Sequence, residues 1–241
     1  MGALDGVTAI VTGASSGIGA ATAAALADEG ARVVGGARRV ERLETAVALP
    51  LDVTDLASCE HFVAAAGPCD ILVNAAGLAL GRAPFDESSE EDERVVFETN
   101  VNGLVRMTRL VLTRSLREPG HIVNMGSIAG RWAYPNGASY VTSKFAVRGF
   151  TRALREDLLG RDIRVTTVDA GLVETEFSIV RFRGDRKAAR SVYEGTRPLS
   201  AEDVASCILF AVTRPTHMVV DELVVMSIDQ SSGARVHRRE D

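Results

Sequence analysis

Tyr140 and Lys144 stand four positions apart in the run Tyr-Val-Thr-Ser-Lys. On a helix that spacing sends both side chains from one face. A free phenol titrates near pH ~10, too high for an efficient base near neutrality. A neighbouring ammonium favours phenolate and is expected to lower that value. Lysine is also a compact point charge with rotatable donors, suited to holding ribose hydroxyls, and arginine is a poorer substitute. Of the 27 basic residues only Lys144 and Lys187 are lysine, so one of two lysines stands where this chemistry wants one. Ser127 lies thirteen residues before Tyr140, at the end of the apolar run 121–127. Its hydroxyl can donate a hydrogen bond to a substrate oxygen and stabilise charge developing there. The set implies proton transfer at a carbonyl or alcohol oxygen, with Tyr140 as donor and acceptor.

A second cluster of residues suits phosphate. After an apolar run at 7–12 comes Thr12-Gly13-Ala14-Ser15-Ser16-Gly17-Ile18-Gly19, and an alanine-rich helical stretch follows. Glycines at Gly13, Gly17 and Gly19 allow a tight turn, a close approach of backbone to pyrophosphate and close helix packing. Ser15, Ser16 and Ile18 fall at the opening helix turn, whose free N–H groups and partial positive charge attract anions. The strand–turn–helix context is what such a motif requires. At the end of the second strand the chain reads Gly36-Ala37-Arg38-Arg39, with no carboxylate between Ala31 and Val40. A carboxylate there would select the ribose 2′-hydroxyl of NAD. Arg38 and Arg39 instead suit a 2′-phosphate through charge-assisted hydrogen bonds. The expected cofactor is NADP(H).

These residues need a scaffold, and the alternation of short β-rich runs with helical stretches supplies one. It implies an α/β fold, a parallel sheet with helices on both faces. Strands are expected at 7–12, 31–37, 48–52, 70–77, 121–127, 163–171 and 221–227. Helices are expected from the glycine turn to Glu29, at 55–66, from Ser88 or Ser89 as N-cap to about Leu116, at 138–159 and at 201–213. The helical link between strands two and three is unusually short. Residues 172–199 form one long irregular insertion with a short helix around 185–194. It leaves the carboxyl end of a strand, which marks a substrate lid. The tail 229–241 is too polar to fold alone. No repeat or linker divides the chain, so residues 1–241 read as one domain.

Composition narrows the function classes. With 46% apolar and 24% charged residues the chain is an ordinary globular protein, long enough to bury a core without disulfides or metal. A net charge of −5 gives no basic footprint for nucleic acid. No apolar run is long enough to span a bilayer, and the first residues read as a strand and not as a signal peptide. Three cysteines, Cys59, Cys69 and Cys207, have no metal-type spacing and read as reduced thiols of a cytoplasmic protein. The four histidines share no spacing, so neither a metal site nor a serine–histidine triad is expected.

The pattern TGxxxGIG with YxxxK resembles the short-chain dehydrogenase/reductase family. Asn74-Ala75-Ala76-Gly77, Asn124-Met-Gly-Ser-Ile-Ala-Gly130 and Asp169-Ala170-Gly171-Leu-Val173-Glu-Thr175 match further motifs of it. The resemblance runs from the first strand nearly to the C-terminus. It implies a single-domain Rossmann fold, a doubly wound seven-stranded sheet in the order 3-2-1-4-5-6-7. It implies Asn100, in Thr99-Asn100, as the residue that distorts its helix and holds a water linked to lysine, with Asn102 the weaker alternative. Asp52 and Val53 match the adenine contact, Asn74, Ala75 and Ala76 the cofactor's edge, and Gly171, Val173 and Thr175 the nicotinamide cradle. Ala75 and Ala170 depart from the family's usual Asn and Pro, and Gly126 from a common serine. Gly77-Leu-Ala-Leu-Gly81, the run Gly171–Gly184 and Val236-His-Arg resemble the subgroup of NADP-dependent 3-hydroxy acid (serine/allo-threonine) dehydrogenases. For such a substrate Arg181 or Arg183 is the expected carboxylate partner. Three other readings are weighed: a secondary-metabolite reductase resembling clavulanate dehydrogenase, a ketoacyl carrier-protein reductase docking through Arg106, Arg109 and Arg148, and a non-catalytic NADPH-binding regulator. The resemblance also implies a homotetramer built on the helices at 99–116 and 138–159, with the tail reaching a neighbouring subunit.

Overall fold

A computed structural model of the protein describes residues 2–239. The apolar runs pair into one parallel sheet. Its strands are β1 (Thr8–Thr12), β2 (Arg32–Ala37), β3 (Val47–Pro50), β4 (Cys69–Asn74), β5 (Leu116–Met125), β6 (Ile163–Ala170) and β7 (Glu222–Val225), in the spatial order β3-β2-β1-β4-β5-β6-β7. All five residues of β1 are buried, as expected of a strand covered on both faces. The helices are α1 (Gly17–Asp28), α2 (Leu56–Ala66), α3 (Glu90–Phe97), α4 (Leu104–Arg114), α5 (Ala138–Asp157), α6 (Glu176–Arg181), α7 (Arg186–Ser191) and α8 (Ala201–Val212). One core layer joins Phe62, Met107, Val111 and Leu154 to one face of the sheet, and another joins Leu26, Val204 and Ile208 to the opposite face.

Strand order reverses around β1, between β2 and β4. Ligands of such sheets bind outside the carboxyl ends of strands at this reversal. The register brings those ends level: Thr12 pairs with Gly36 and with Asn74, Asn74 with Asn124, and Met125 with Val168. The loops that follow therefore open onto one edge.

Four local expectations change. The link after β2 is a single 3₁₀ turn, Val40–Arg42, with no helix. Leu116, expected to end a helix, begins β5, because α4 stops at Arg114 and Ser115 leaves the helical region. Of the two candidate caps Ser89 is the one used, accepting from Asp92 N. The 172–199 insertion holds two short helices instead of one: Thr175 caps α6 by accepting from Phe177 N, and Asp185 caps α7 by accepting from Lys187 N and Ala188 N. Six residues are too few to show a helical period, so α6 had only its cap as a signal.

The long helix expected after β4 is interrupted. Between α3 and α4 lies a π stretch, Glu98–Gly103. The described part of the tail returns to its own chain. Asp229 accepts from Arg197 N at 2.9 Å and Arg239 Nη2 at 2.8 Å, and Gln230 Oε1 accepts from Leu172 N at 2.8 Å. Residues 240–241 lie outside the described residues. No described helix is long and apolar enough to cross a membrane.

Candidate active site

The glycine turn after β1 is built for close approach. Gly13 has φ +70°, and a Cβ on it would sit 2.8 Å from Ala76 Cα. A Cβ on Gly19 would sit 2.3 Å from the Gly13 carbonyl oxygen. Ser16 is the N-cap of α1, yet its side chain makes no capping bond and the first turn carries no acid. The first N–H groups of α1 are thus left without side-chain acceptors, which suits an incoming anion.

A cleft of about 490 Å³ starts at this turn and ends at Ser127, Tyr140 and Lys144. Arg38, Arg39, Asp52 and Val53 line one end, and Ala75, Ala76 and Gly77 its floor. Gly171, Val173 and Thr175 close the far side. Ser15, Gly17 and Ile18 also face it. Asn74 does not. It is buried in the sheet, where its Nδ2 donates to Thr108 Oγ1 and Asn124 Oδ1, both at 2.9 Å. Its place in the motif is therefore one of internal support and not of cleft lining. Ala75 and Ala76 present backbone, both N–H groups donating to Thr12 Oγ1 at 3.1 Å, so the missing amide at position 75 leaves the turn anchored.

At the basic end, Arg38 is exposed toward the cleft. Arg39 donates to Ser16 Oγ at 2.9 Å and to Glu176 at 3.1 Å, and Arg42 also pairs with Glu176. Burial pushes the Asp52 carboxyl up, but bonds from Thr54 and the charges of Arg38 and Arg106 hold it below its ordinary value. The cleft thus offers glycine backbone and a free helix N-terminus to a pyrophosphate and guanidinium groups to a further phosphate. These donors fit NADP(H).

At the other end α5 carries Tyr140 and Lys144 on one face, with Lys144 Nζ 5.8 Å from the Tyr140 ring centroid. Lys144 Nζ donates to the Met125 carbonyl at 2.8 Å. Ser127 Oγ accepts from Ala129 N and lies 3.4 Å from the Ala170 carbonyl. Burial pushes the Tyr140 phenol well above its ordinary value and Tyr134 adds to this, while Ser127's hydrogen bond and Arg181's charge counter it. The expected lowering is corrected to a rise, because desolvation disfavours the phenolate. Burial also lowers Lys144, to about 8, against the upward pull of Asp169. Near neutral pH the pair is a phenol beside an ammonium, a proton donor and a fixed positive charge.

Asn100 lies buried in the π stretch. Its Oδ1 accepts from Leu78 N at 2.8 Å, and its Nδ2 donates to the Leu78 carbonyl and to Ser143 Oγ. Gly77 separates it from the lysine: a Cβ there would lie 3.3 Å from Asn100 Oδ1 and 3.8 Å from Lys144 Nζ. Asn102 faces outward and bonds Glu98. Of the two asparagines only Asn100 joins the cluster.

Arg181 reaches the same end. It donates from Nε to the Gly81 carbonyl at 3.1 Å and from Nη1 to Tyr134 Oη at 3.2 Å, with its guanidinium carbon 5.9 Å from the Tyr140 ring centroid. A smaller hollow of about 160 Å³ between segments 80–93 and 136–140 shares Tyr140 and Arg181. Arg183 is turned away, paired with Asp92 at 2.6 Å and exposed. Of the two arginines only Arg181 lies beside Tyr140. Of the three arginines weighed for docking, Arg106 is held by the Val53 carbonyl and Glu98 and Arg148 by Glu222, while Arg109 is exposed. Two wall residues had no sequence signal. Phe177 packs edge-on against Tyr140 at 5.5 Å, and Glu176 ties the insertion to Arg39 and Arg42. No cluster of metal-ligating side chains occurs among the described residues.

The geometry has counterparts in known proteins. A family model described as short chain dehydrogenase matches residues 7–185. An NADP-dependent 3-hydroxy acid dehydrogenase from Schizosaccharomyces pombe is 39% identical over 258 residues, covering 100% of both chains. A serine 3-dehydrogenase from Agrobacterium fabrum is 37% identical, covering 96% of this chain and 98% of its own. The solved closed form of a serine dehydrogenase complexed with NADP+ superposes with a TM-score of 0.90 at 40% identity, covering 96% of this chain and 100% of that one.

Proposed function

This chain belongs to the short chain dehydrogenase family, and on that premise we propose that it is an NADP(H)-dependent oxidoreductase interconverting a small 3-hydroxy acid and its 3-oxo acid. The observation that carries the reading is the meeting of Ser127 and Tyr140 at one end of a cleft, with Arg181 beside Tyr140 in an adjoining hollow. The other end of that cleft holds a free helix N-terminus and Arg38. Two hydroxyl donors suit the reacting oxygen, and a guanidinium beside them suits the carboxylate.

When bound, NADPH would supply the hydride in reduction and NADP+ would accept it in oxidation. The chain's own residues manage the oxygen and its proton. Ser127 donates a hydrogen bond to the substrate oxygen and stabilises the charge that builds there. Tyr140, held as a phenol by burial, donates its proton to that oxygen in reduction and takes it back in oxidation. Lys144 favours the phenolate left behind and offers donors to ribose hydroxyls. Asn100 fixes the π stretch behind Lys144, where a proton can be resupplied. Residues 172–199 act as the lid, with Phe177 in the cleft wall and Arg181 in the adjoining hollow. The family resemblance supports a homotetramer in the cytoplasm, and the exposed Phe145 on α5 is consistent with a further contact there.

Cofactor choice follows from Arg38. The native protein should bind NADPH far more tightly than NADH. A guanidinium–phosphate bond contributes roughly 1.5–3 kcal/mol, so Arg38→Asp should weaken NADPH on the order of tenfold to a hundredfold and leave NADH nearly unchanged. Fluorescence titration of both dinucleotides reads this directly. Equal native affinity for the two would overturn the assignment.

A further inference from the structure

Behind the Ser127–Tyr140–Lys144 cluster lies a carboxylate that the reaction does not touch. Asp169, near the end of β6, is fully buried, and its Oδ1 has no hydrogen-bond partner among the described residues. Its Oδ2 accepts from Arg131 Nε at 2.5 Å. Arg131 also reaches Glu222 on β7, and Glu222 receives Arg148 and Arg152 from α5. A buried aspartate is thus fixed by a chain of ion pairs that runs out to the surface. Its free oxygen presses on Gly126, where a Cβ would sit 1.8 Å from Oδ1. Gly126 joins Met125, whose carbonyl takes Lys144 Nζ, to Ser127. Its φ is not positive, so the glycine is required by the carboxylate's volume and not by backbone conformation.

An unsatisfied buried carboxylate oxygen is costly, and such groups persist where they serve a function. We propose that Asp169 is a positioning residue that acts through Lys144: a fixed buried negative charge, seated against Gly126, that keeps Lys144 an ammonium and Tyr140 a phenol during the reaction. The proposal rests on the roles given above to those two residues. The charged and titratable groups around the cluster are few. Tyr140 faces Lys144 from the same helix, and Asp169 faces it from β6. Tyr134 and Arg181 act on Tyr140, while burial pushes the Asp169 carboxyl up, Glu222 adds to this, and the bond and charge of Arg131 and the charge of Arg148 hold it ionised against that rise. Asp169 pulls both Lys144 and Tyr140 upward. Removing its charge lowers both.

The composition makes the test direct. With only Lys144 and Lys187 in the chain, full-length protein grown on carbon-13-labelled lysine gives two side-chain signals. The Lys144 signal should titrate near pH 8 in the native protein. In Asp169→Asn it should titrate about one pH unit lower, as expected for loss of a nearby opposite charge, while Lys187 stays put. The alkaline limb of the kcat/KM profile should move down with it. A Lys144 midpoint unchanged in folded Asp169→Asn, with Lys187 as internal control, overturns the proposal. If that variant does not fold, Asp169→Ser removes the carboxylate while keeping Arg131 and a polar partner for it. Lys144 should again titrate lower, and an unchanged midpoint again refutes the idea. The titration needs no substrate, so a protein inert toward every hydroxy acid would sink the proposed function while this result still stood or fell on its own.

Discussion

Tyr140→Phe is expected to lose nearly all turnover and to keep its cofactor. The phenol is the group placed to pass a proton to the substrate oxygen, and general acid–base catalysis of this kind contributes roughly 10²–10⁴-fold. Phenylalanine retains the ring that packs edge-on against Phe177 and lies 5.9 Å from the Arg181 guanidinium carbon. The cleft wall therefore stays in place. The change takes one neutral hydroxyl from the cleft lining and leaves the glycine turn, Arg38 and Lys144 in place, so cofactor contact changes little. Initial rates with saturating NADPH should fall at least a hundredfold, while the dissociation constant for NADPH moves by no more than a few fold. A variant with near-native turnover would refute Tyr140 as the acid. One that loses cofactor as well would place the tyrosine in binding.

The second large effect concerns the substrate. Arg181 uses Nε and Nη1 on Gly81 and Tyr134, while Nη2 has no protein partner among the described residues. It stands beside Tyr140, as a carboxylate two carbons from the reacting oxygen would require. Removing a clamp on a desolvated charge costs a few kcal/mol, partly because the substrate's carboxylate is then left unpaired. Arg181→Ala should therefore lose on the order of a hundredfold in kcat/KM for a 3-hydroxy acid and little for its methyl ester. Arg183→Ala is the control: its guanidinium is exposed and held by Asp92, so acid and ester should both behave as with the native protein. If Arg181→Ala treats acid and ester alike, a neutral ketone or aldehyde is the better substrate class.

Much of this site is legible in sequence for a physical reason. Tyr140 and Lys144 are linked by helical spacing, and the glycine turn by its position between a strand and a helix. Both are local patterns. The parallel sheet also follows from alternating βα units, and its strand order from the family resemblance. What was not legible depends on distant packing. Nothing in the spacing of Tyr140 and Lys144 says that the site is buried deeply enough to raise the phenol instead of lowering it. Nothing near Arg183 in sequence announces its partner, Asp92, ninety-one positions away. Asn74 looked like a cofactor contact because its motif neighbours line the cleft, yet its side chain turns inward to Thr108 and Asn124. Arg131 and Asp169, thirty-eight positions apart, form their buried pair only when β5 and β6 lie side by side. Helix α6 was hidden by its length.

The central claim is hydride transfer between NADP(H) and a small 3-hydroxy acid at the Ser127–Tyr140–Lys144 end of the cleft. One measurement tests it most directly: NADPH absorbance followed with native protein, NADP+ and a panel of 3-hydroxy acids, with and without a 2-amino group, beside their methyl esters. NADPH should appear with at least one acid, faster than with its ester, and NAD+ should support little or none of it. No NADPH with any acid, or equal rates with NAD+, would contradict the account.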